Sequence, residues 1–267
     1  MSPETVPAGI PDEAHPPVLE LDAVSVTFTS GMGRKRRVMR AMNEVSLAVA
    51  AGETLGVVGE SGSGKSTTGA VALGLRAPDS GVARLLGRPL NRATKKALRG
   101  SVQAVLQHPQ WSLNPRRRVG ESVREPLTVV GRSLSRAEQQ ERVAQILERV
   151  GLGADMADRF PHELSGGQRQ RVSVARALIT EPRFIVFDEA VSALDVSVQM
   201  QILALIRELQ EQHRFGALFI SHDLGAVRRV SDRIAVLFRG EIVESNTTES
   251  FFTSPQHPYS QQLLETL

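Results

Sequence analysis

The chain has 267 residues, 41% of them hydrophobic, which suffices for a real core in one large domain or two small ones. It has no cysteine, which excludes disulfides and thiolate metal sites. No apolar run approaches the roughly 20 residues that cross a bilayer, and the N-terminus lacks the pattern of a signal peptide. We therefore expect a globular cytoplasmic protein. The net charge of +3 is modest, and we expect the basic runs at 34–37 and 116–118 to be solvated loops.

The N-terminal part of the chain predicts a tail followed by two strands. Residues 1–17 are rich in proline and predict a disordered tail. Residues 18–28 and 45–49 predict strands, with a basic loop or hairpin tip at 31–37 between them. Phe28 is the only aromatic residue before the glycine-rich stretch that follows. It could stack on a nucleotide base, although a phenylalanine at a strand end is more often part of the core.

That glycine-rich stretch predicts a phosphate-binding loop. It fits the spacing G-x-x-x-x-G-K-[ST], between a buried strand at 55–58 and a helix at 66–75. Glycines let the backbone curl around a polyphosphate, and the N-terminus of the helix points at the anion. Lys65 would reach the β- and γ-phosphates, and Ser66 would bind Mg²⁺. We therefore expect a nucleoside triphosphate to bind at Gly59, Glu60, Ser61, Gly62, Ser63, Gly64, Lys65, Ser66 and Thr67. The alternative is a glycine-rich turn with an incidental lysine.

The middle of the chain changes from strand to helix periodicity. Residues 81–86 and 102–106 predict strands, the second of which ends at Gln107. From 119 to 179 the pattern is helical, most clearly where Ser135 and Glu138 form a capping box before an apolar face. Gly151 then ends that helix. This pattern predicts a helical insertion between strands of a core sheet.

Two more apolar strands end in polar groups. Residues 184–187 are followed by Asp188 and Glu189, and residues 217–220 are followed by Ser221 and His222. Between them, residues 198–209 predict an amphipathic helix. With the strand before the phosphate loop, they indicate an open parallel sheet whose ligand site lies at the carboxyl edge.

Taken in order, these motifs resemble the ATP-binding cassette (ABC) ATPases. Residues 164–171, Leu-Ser-Gly-Gly-Gln-Arg-Gln-Arg, look like the signature sequence of that family. The phosphate loop, Gln107, the signature, Asp188-Glu189, the segment 192–195 and His222 follow in the family's order and at its spacings, over residues 18–245. The resemblance implies an α/β fold: a P-loop NTPase core sheet with an N-terminal antiparallel β subdomain and an inserted helical subdomain.

The resemblance also implies a division of the chain. The nucleotide-binding core covers 18–107 and 183–245, the helical signature subdomain covers 108–182, and 246–267 form a C-terminal extension after the tail at 1–17. Residues 107–109, 112–116, 192–199 and 257–259 resemble the ATPase subunits of bacterial oligopeptide, dipeptide and nickel importers. Two places depart from that pattern. His108 and Gln110 replace an aspartate and an aromatic residue, with Trp111 one place later, and Ala190-Val191 replaces Pro-Thr.

The chemistry of the residues agrees with the roles that the family implies. Asp188, at the end of a buried strand, suits Mg²⁺, and Glu189 suits a general base that activates water. His222 could contact the γ-phosphate. Gln107 could hydrogen-bond both the metal shell and the water, and so report whether the γ-phosphate is present. We expect Ser66, Gln107 and Asp188 around Mg²⁺, and Lys65, Gln107, Glu189 and His222 in catalysis.

The signature forms a second anion site, because Ser165, Gly166 and Gly167 precede a helix. One subunit cannot easily use both sites on one phosphate. The family's solution is a head-to-tail dimer in which the signature of one subunit closes over the ATP of the other. By resemblance, Ser165, Gly166, Gly167 and Gln168 contact that ATP, and Asp195 lies on the dimer seam.

The implied function is an ATP-hydrolysing subunit, peripheral on the cytoplasmic face of the membrane, that powers import of oligopeptides, dipeptides or a chelated metal such as nickel. Its expected partners are membrane permease subunits, a second ATPase subunit of the same or another kind, and an extracytoplasmic solute-binding protein. Within residues 108–118, which also contain Leu113, Trp111 suits a surface pocket that receives a short helix of the permease. The alternative for Trp111 is burial in the core. The alternative function is that of a nucleic-acid-associated cassette, although the connection from 107 to 164 is too short for a long coiled coil. A non-enzymatic regulatory module would lack the base that Glu189 supplies.

Overall fold

The described strands lie in two sheets, with helices packed around the larger one. The computed structural model describes residues 17–30, 37–107, 113–131 and 134–265. The strands are β1 (Leu19–Ser30), β2 (Arg37–Val49), β3 (Thr54–Val58), β4 (Ser80–Leu85), β5 (Arg88–Pro89), β6 (Val102–Leu106), β7 (Phe184–Asp188), β8 (Gly216–Ile220), β9 (Arg233–Phe238) and β10 (Glu241–Thr247). The helices are α1 (Lys65–Ala72), α2 (Val119–Val130), α3 (Arg136–Arg149), α4 (Gly166–Leu178), α5 (Val196–His213), α6 (Leu224–Val230), α7 (Thr248–Thr253) and α8 (Pro258–Glu265).

The larger sheet has the strand order β10-β9-β3-β8-β7-β6. Strands β9, β3, β8, β7 and β6 run parallel, and β10 pairs antiparallel with β9. Every residue of β3 and β8 is buried, because packed elements cover both faces of the sheet. The three strands predicted for the parallel sheet are confirmed, and the predicted strand at 102–106 lies in it as β6. Their carboxyl ends meet at one edge, which brings together the phosphate loop, Gln107, Asp188 and His222.

The smaller sheet is antiparallel, with the order β2-β1-β4-β5. Strand β1 pairs with both β2 and β4, and its pairing with β2 shifts register near Val24 and Val26. Its inner face packs with α1 on one side of the larger sheet, in a cluster that includes Leu19, Met42 and Leu55. The predicted antiparallel subdomain is therefore confirmed. Of the predicted basic loop, residues 31–36 lie outside the described part, and residue 37 already belongs to β2.

The helical region lies between β6 and β7, as predicted. Helices α2, α3 and α4 bury a shared apolar core that includes Val123, Leu147 and Val172. The predicted capping box of α3 is present: the Glu138 N–H donates to Ser135 Oγ at 3.3 Å, and the Ser135 N–H donates to the Glu138 carboxylate at 2.7 Å. The hydrogen bond from Ser135 lowers the pKa of Glu138.

Three further observations concern the predicted helix at 66–75, the predicted tail and membrane-spanning helices. The predicted helix at 66–75 is α1 and stops at Ala72, because Gly74 adopts a left-handed φ of 66°. The tail expected at 1–17 lies outside the described residues except for Pro17. Within the described residues, no helix is both long and apolar enough to span a membrane. The limits of the expected domains stay a prediction.

Candidate active site

The phosphate loop connects β3 to α1 and depends on glycine at two close approaches. Gly59 has a φ of 149° and Gly64 a φ of 111°, both in the region that favours glycine. A Cβ atom at Gly59 would collide with the carbonyl oxygen of Leu237, and one at Gly64 with the carbonyl oxygen of Ala41. Neighbouring backbone therefore leaves no room for a side chain at either position, and the curl of the loop requires glycine there.

Lys65 lies inside this loop and is 8% exposed. Its ammonium donates to the carbonyl oxygens of Gly59 at 2.7 Å and Glu60 at 2.8 Å. Burial lowers the pKa of Lys65, while the nearby carboxylates of Glu189 and Asp188 act in the opposite direction. The cation is thus placed beside the loop's anion site, where its third N–H can donate to a phosphate oxygen. Among the other loop residues, Glu60, Ser61, Gly62 and Ser66 are exposed, Gly64 and Thr67 are half-buried, and Ser63 is buried.

Asp188 and Glu189 lie at the end of β7, beside Lys65. Burial raises the pKa of Asp188, and the charge of Glu189 adds to the increase, whereas Lys65 opposes it. Among the described residues, Asp188 Oδ1 and Glu189 Oε2 are buried oxygens without a hydrogen-bond partner. Such oxygens are costly unless a ligand satisfies them. The pair is therefore built for a bound cation or a water molecule, and it is not a solvated surface pair.

Glu189 is fixed on its backbone side and contacts His222 on its side-chain side. It adopts a φ of 51°, and its N–H donates to the Ile220 carbonyl at 2.9 Å. A positive φ at a residue other than glycine is strained, and such strain is common at functional sites. His222 Nδ1 lies 2.8 Å from Glu189 Oε1, and the side chain of Glu189 is only 15% exposed. Glu189 and His222, two of the four residues expected to act in catalysis, are therefore already paired.

Gln107 reaches this pair through a residue that the sequence interpretation gave no role. Its amide nitrogen donates to Ser192 Oγ at 3.3 Å, and Ser192 Oγ donates to the Glu189 carbonyl at 3.0 Å. Gln107 is exposed at the end of β6. Ser192 lies in the segment 192–195, whose spacing resembles the family, and that resemblance is the feature of the sequence that points to Ser192.

The oxygen ligands at this edge suit Mg²⁺. The hydroxyl of Ser66, the amide oxygen of Gln107 and the unpaired carboxylate oxygen of Asp188 are the hard ligands that this ion prefers. The part of the chain described here contains no cluster of three or more His, Cys, Asp or Glu residues that could hold a metal alone. A magnesium ion that shares its ligands with nucleotide phosphates fits such a sparse set.

The signature residues lie on the helical region, where they form the N-terminus of α4. Ser165 caps that helix: its Oγ accepts from the Gln168 N–H at 3.2 Å, and its N–H donates to Gln168 Oε1 at 2.9 Å. Gly166 is exposed, and a Cβ at Gly167 would lie 2.5 Å from a methyl group of Val198. The signature therefore forms a capped helix N-terminus whose first residues, Ser165 and Gly166, are exposed.

The remaining candidate residues lie further out. Phe28 is 42% exposed, so it is not a core residue, and the Arg76 guanidinium lies 5.6 Å from its ring centre. Asp195 is exposed at the N-cap of α5, where its side chain makes no capping hydrogen bond to the helix. Trp111 lies outside the described residues. Leu113, in the same stretch, is 1% exposed and packs in the helical core, so its side chain is not available to a partner.

Comparisons with known proteins agree with this geometry. Residues 42–192 match the family model described as ABC transporter. A Brucella abortus protein named for peptide import is 50% identical over 236 residues, which cover 87% of this chain and 70% of the relative. A dipeptide transport ATP-binding protein of Haemophilus influenzae is 44% identical over 88% of this chain and 72% of its own length. An oligopeptide transport ATP-binding protein of Bacillus subtilis is 43% identical over 94% of this chain and 78% of its own length.

Solved structures agree as well. A dimeric ATP-binding cassette in a post-hydrolysis state, bound to ADP and Pi, superposes with a TM-score of 0.75 and 29% identity, over 86% of this chain and 98% of its own. A cassette of Clostridium perfringens that is part of an ABC transporter complex gives a TM-score of 0.78 and 25% identity, over 89% of this chain and 91% of its own. The predicted α/β cassette fold is therefore confirmed, and the chain belongs to the ABC transporter family as one of its ATP-hydrolysing subunits.

Proposed function

We propose that this subunit hydrolyses ATP to drive bacterial import of oligopeptides or dipeptides. The observation that carries the ATPase chemistry is the grouping of Lys65, Asp188, Glu189 and His222 at one sheet edge beside the phosphate loop. The names of the three relatives, which refer to peptide, dipeptide and oligopeptide transport, support the substrate class. Import of a chelated metal such as nickel is the second candidate, since the sequence also resembles nickel importers.

The residues divide the reaction among them. The phosphate loop holds the β- and γ-phosphates of ATP, and Lys65 donates its remaining N–H to a phosphate oxygen. Ser66, Gln107 and Asp188 would hold Mg²⁺, which would supply positive charge that offsets the charge of the phosphates. The exposed ring of Phe28 stacks on the base.

Glu189 acts as the general base. It takes a proton from water as the water oxygen bonds to the γ-phosphorus and the bond to the bridging oxygen breaks, leaving ADP and phosphate. Until a γ-phosphate is present, the contact of 2.8 Å between His222 Nδ1 and Glu189 Oε1 holds the Glu189 carboxylate in its orientation. Gln107 reports the state of the site through Ser192.

A second ATPase subunit completes each site. The exposed N-terminus of α4 supports a role in trans for Ser165, Gly166, Gly167 and Gln168, because a helix N-terminus attracts the phosphates of a facing ATP. Asp195 lies on the same seam. That a solved relative is dimeric supports this arrangement.

The membrane partners follow from the same assignment. The subunit docks from the cytoplasmic face onto permease subunits, through residues 108–118, and a solute-binding protein delivers the peptide from outside. The cycle of closure on ATP and reopening after hydrolysis drives the permease. No nucleic acid takes part.

Uptake by cells tests the transported substrate. Deleting the chain should abolish uptake of labelled di- and oligopeptides, and the wild-type chain should restore it. Lys65→Ala should not restore it, whereas Glu148→Gln, on an exposed face of α3, should. Peptide uptake that survives the deletion, together with lost uptake of chelated nickel, would instead support the metal importer.

A further inference from the structure

The segment at the C-terminus, residues 254–265, is tied to the edge of the larger sheet by a buried carboxylate. Glu244 on β10 is 8% exposed. It accepts hydrogen bonds from the Gln256 N–H at 3.0 Å and the His257 N–H at 2.9 Å, and from the Asn246 amide at 3.0 Å. Burial raises the pKa of Glu244, but hydrogen bonds from residues 260, 256, 257 and 246 together outweigh burial and hold the pKa below its ordinary value. The carboxylate therefore fixes where α8 begins.

This anchoring places Tyr259 against the phosphate loop. Tyr259 is 5% exposed, and its ring packs on Phe238, with 4.2 Å between the ring centres. Its backbone N–H donates to His257 Nδ1 at 3.1 Å. The hydroxyl oxygen accepts a hydrogen bond of 2.8 Å from the Glu60 N–H. Burial raises the pKa of Tyr259, so the hydroxyl stays neutral at physiological pH.

The N–H that Tyr259 accepts belongs to the same peptide unit as the carbonyl that holds Lys65. The Gly59 carbonyl accepts from Lys65 Nζ at 2.7 Å, and the Glu60 N–H is the other pole of that planar group. Rotating this peptide would break both hydrogen bonds at once. The hydroxyl of Tyr259 therefore restrains the orientation of the carbonyl that positions the lysine.

We propose that Tyr259 is a positioning residue for ATP: its hydroxyl fixes the Gly59–Glu60 peptide, so that the loop and Lys65 are arranged for the phosphates before ATP arrives. The C-terminal segment is thus part of the nucleotide site although it touches no reacting atom. This inference rests on the proposed binding of ATP at the phosphate loop. A purely packing role for Tyr259 would need only the ring on Phe238.

Removing the hydroxyl alone separates the two roles. Tyr259→Phe keeps the ring and leaves the Glu60 N–H without its partner. The affinity for ATP, measured without Mg²⁺ so that no hydrolysis occurs, should fall about 3- to 10-fold, the scale of one neutral hydrogen bond. The affinity for AMP, measured by competition with a fluorescent ATP analogue, should not change, since AMP lacks the β- and γ-phosphates. Thr253→Val is the matched control, because that hydroxyl donates only to the nearby Glu249 carbonyl.

Three outcomes separate this inference from the site assignment. A Tyr259→Phe protein that binds ATP within about twofold of wild type, while Lys65→Ala has lost binding, overturns the positioning role and leaves the site intact. Equal losses for ATP and AMP overturn it too, because they indicate general loosening. Undiminished ATP binding by Lys65→Ala overturns the site itself. Hydrogen exchange gives a second reading without ligand: the Glu60 amide should exchange faster in Tyr259→Phe, and unchanged exchange contradicts the proposal.

Discussion

Replacing Glu189 by glutamine tests the proposed general base with the smallest change that the site allows. Glutamine has the same shape, so it can keep the positive φ of 51° and a hydrogen bond to His222. The lost charge is the second cause, after burial, of the raised pKa of Asp188. That pKa should therefore fall, so that Asp188 stays ionised for Mg²⁺, and ATP binding should survive.

The expected loss lies in turnover. A positioned general base contributes about 10²- to 10⁴-fold, which corresponds to about 2.7–5.4 kcal/mol at roughly 1.36 kcal/mol for each factor of ten. The side chain of Glu189 is only 15% exposed, so bulk water cannot easily replace it as proton acceptor. Phosphate release at saturating ATP and Mg²⁺ measures the rate, and calorimetric titration measures binding.

A matched glutamate controls for the change of charge. Glu148→Gln, on an exposed face of α3, should keep wild-type turnover. If Glu189→Gln turns over within about threefold of wild type, a different group takes the proton. The role assigned to Glu189 would then be wrong.

Three further predictions concern the dimer, the loop and the C-terminal anchor. Mixing Lys65→Ala with Ser165→Arg should restore some hydrolysis, because a mixed dimer has one intact composite site; mixed dimers no more active than the two parents would refute the arrangement in trans. Gly59→Ala should abolish ATP binding measured by titration, since the added Cβ collides with the Leu237 carbonyl, and unchanged affinity would contradict that. Because folding lowers the pKa of Glu244, the ionised carboxylate stabilises the fold at a pH above its ordinary pKa, and this stabilisation is lost as the pH falls through the folded-state pKa. The thermal stability of Glu244→Gln should therefore lack this loss at acid pH. Unfolding curves that coincide with wild type at every pH would contradict it.

The parallel core could be predicted because its strands are continuous apolar runs. Such runs suit strands buried on both faces, and residues 55–58, 184–187 and 217–220 have that pattern. Their shared direction then brings the polar residues after each strand to one edge. Strands β9 and β10 were missed. Strand β10 has mixed composition, and its place depends on pairing with β9 more than on its own pattern.

The contacts made by Tyr259 could not be predicted from local patterns. The residue is separated from Glu60 by 199 positions, and only the tertiary fold brings them together. The capping role of Ser165 can be predicted from the sequence, because Ser165 and Gln168 have the same spacing as the capping box at Ser135 and Glu138. The exposure of Phe28 depends on how β1 lies in its sheet, so the sequence left two alternatives open.

The most direct test of the transporter assignment is ATP turnover of the reconstituted complex. The subunit, its permease subunits and the solute-binding protein are placed in vesicles, and phosphate release is measured with and without peptide, in parallel with DNA and RNA added to the isolated subunit. We expect peptide to raise turnover in the vesicles, and Glu189→Gln to abolish that increase. Stimulation by nucleic acid alone that falls steeply with salt, with no membrane partner recovered, would contradict the account.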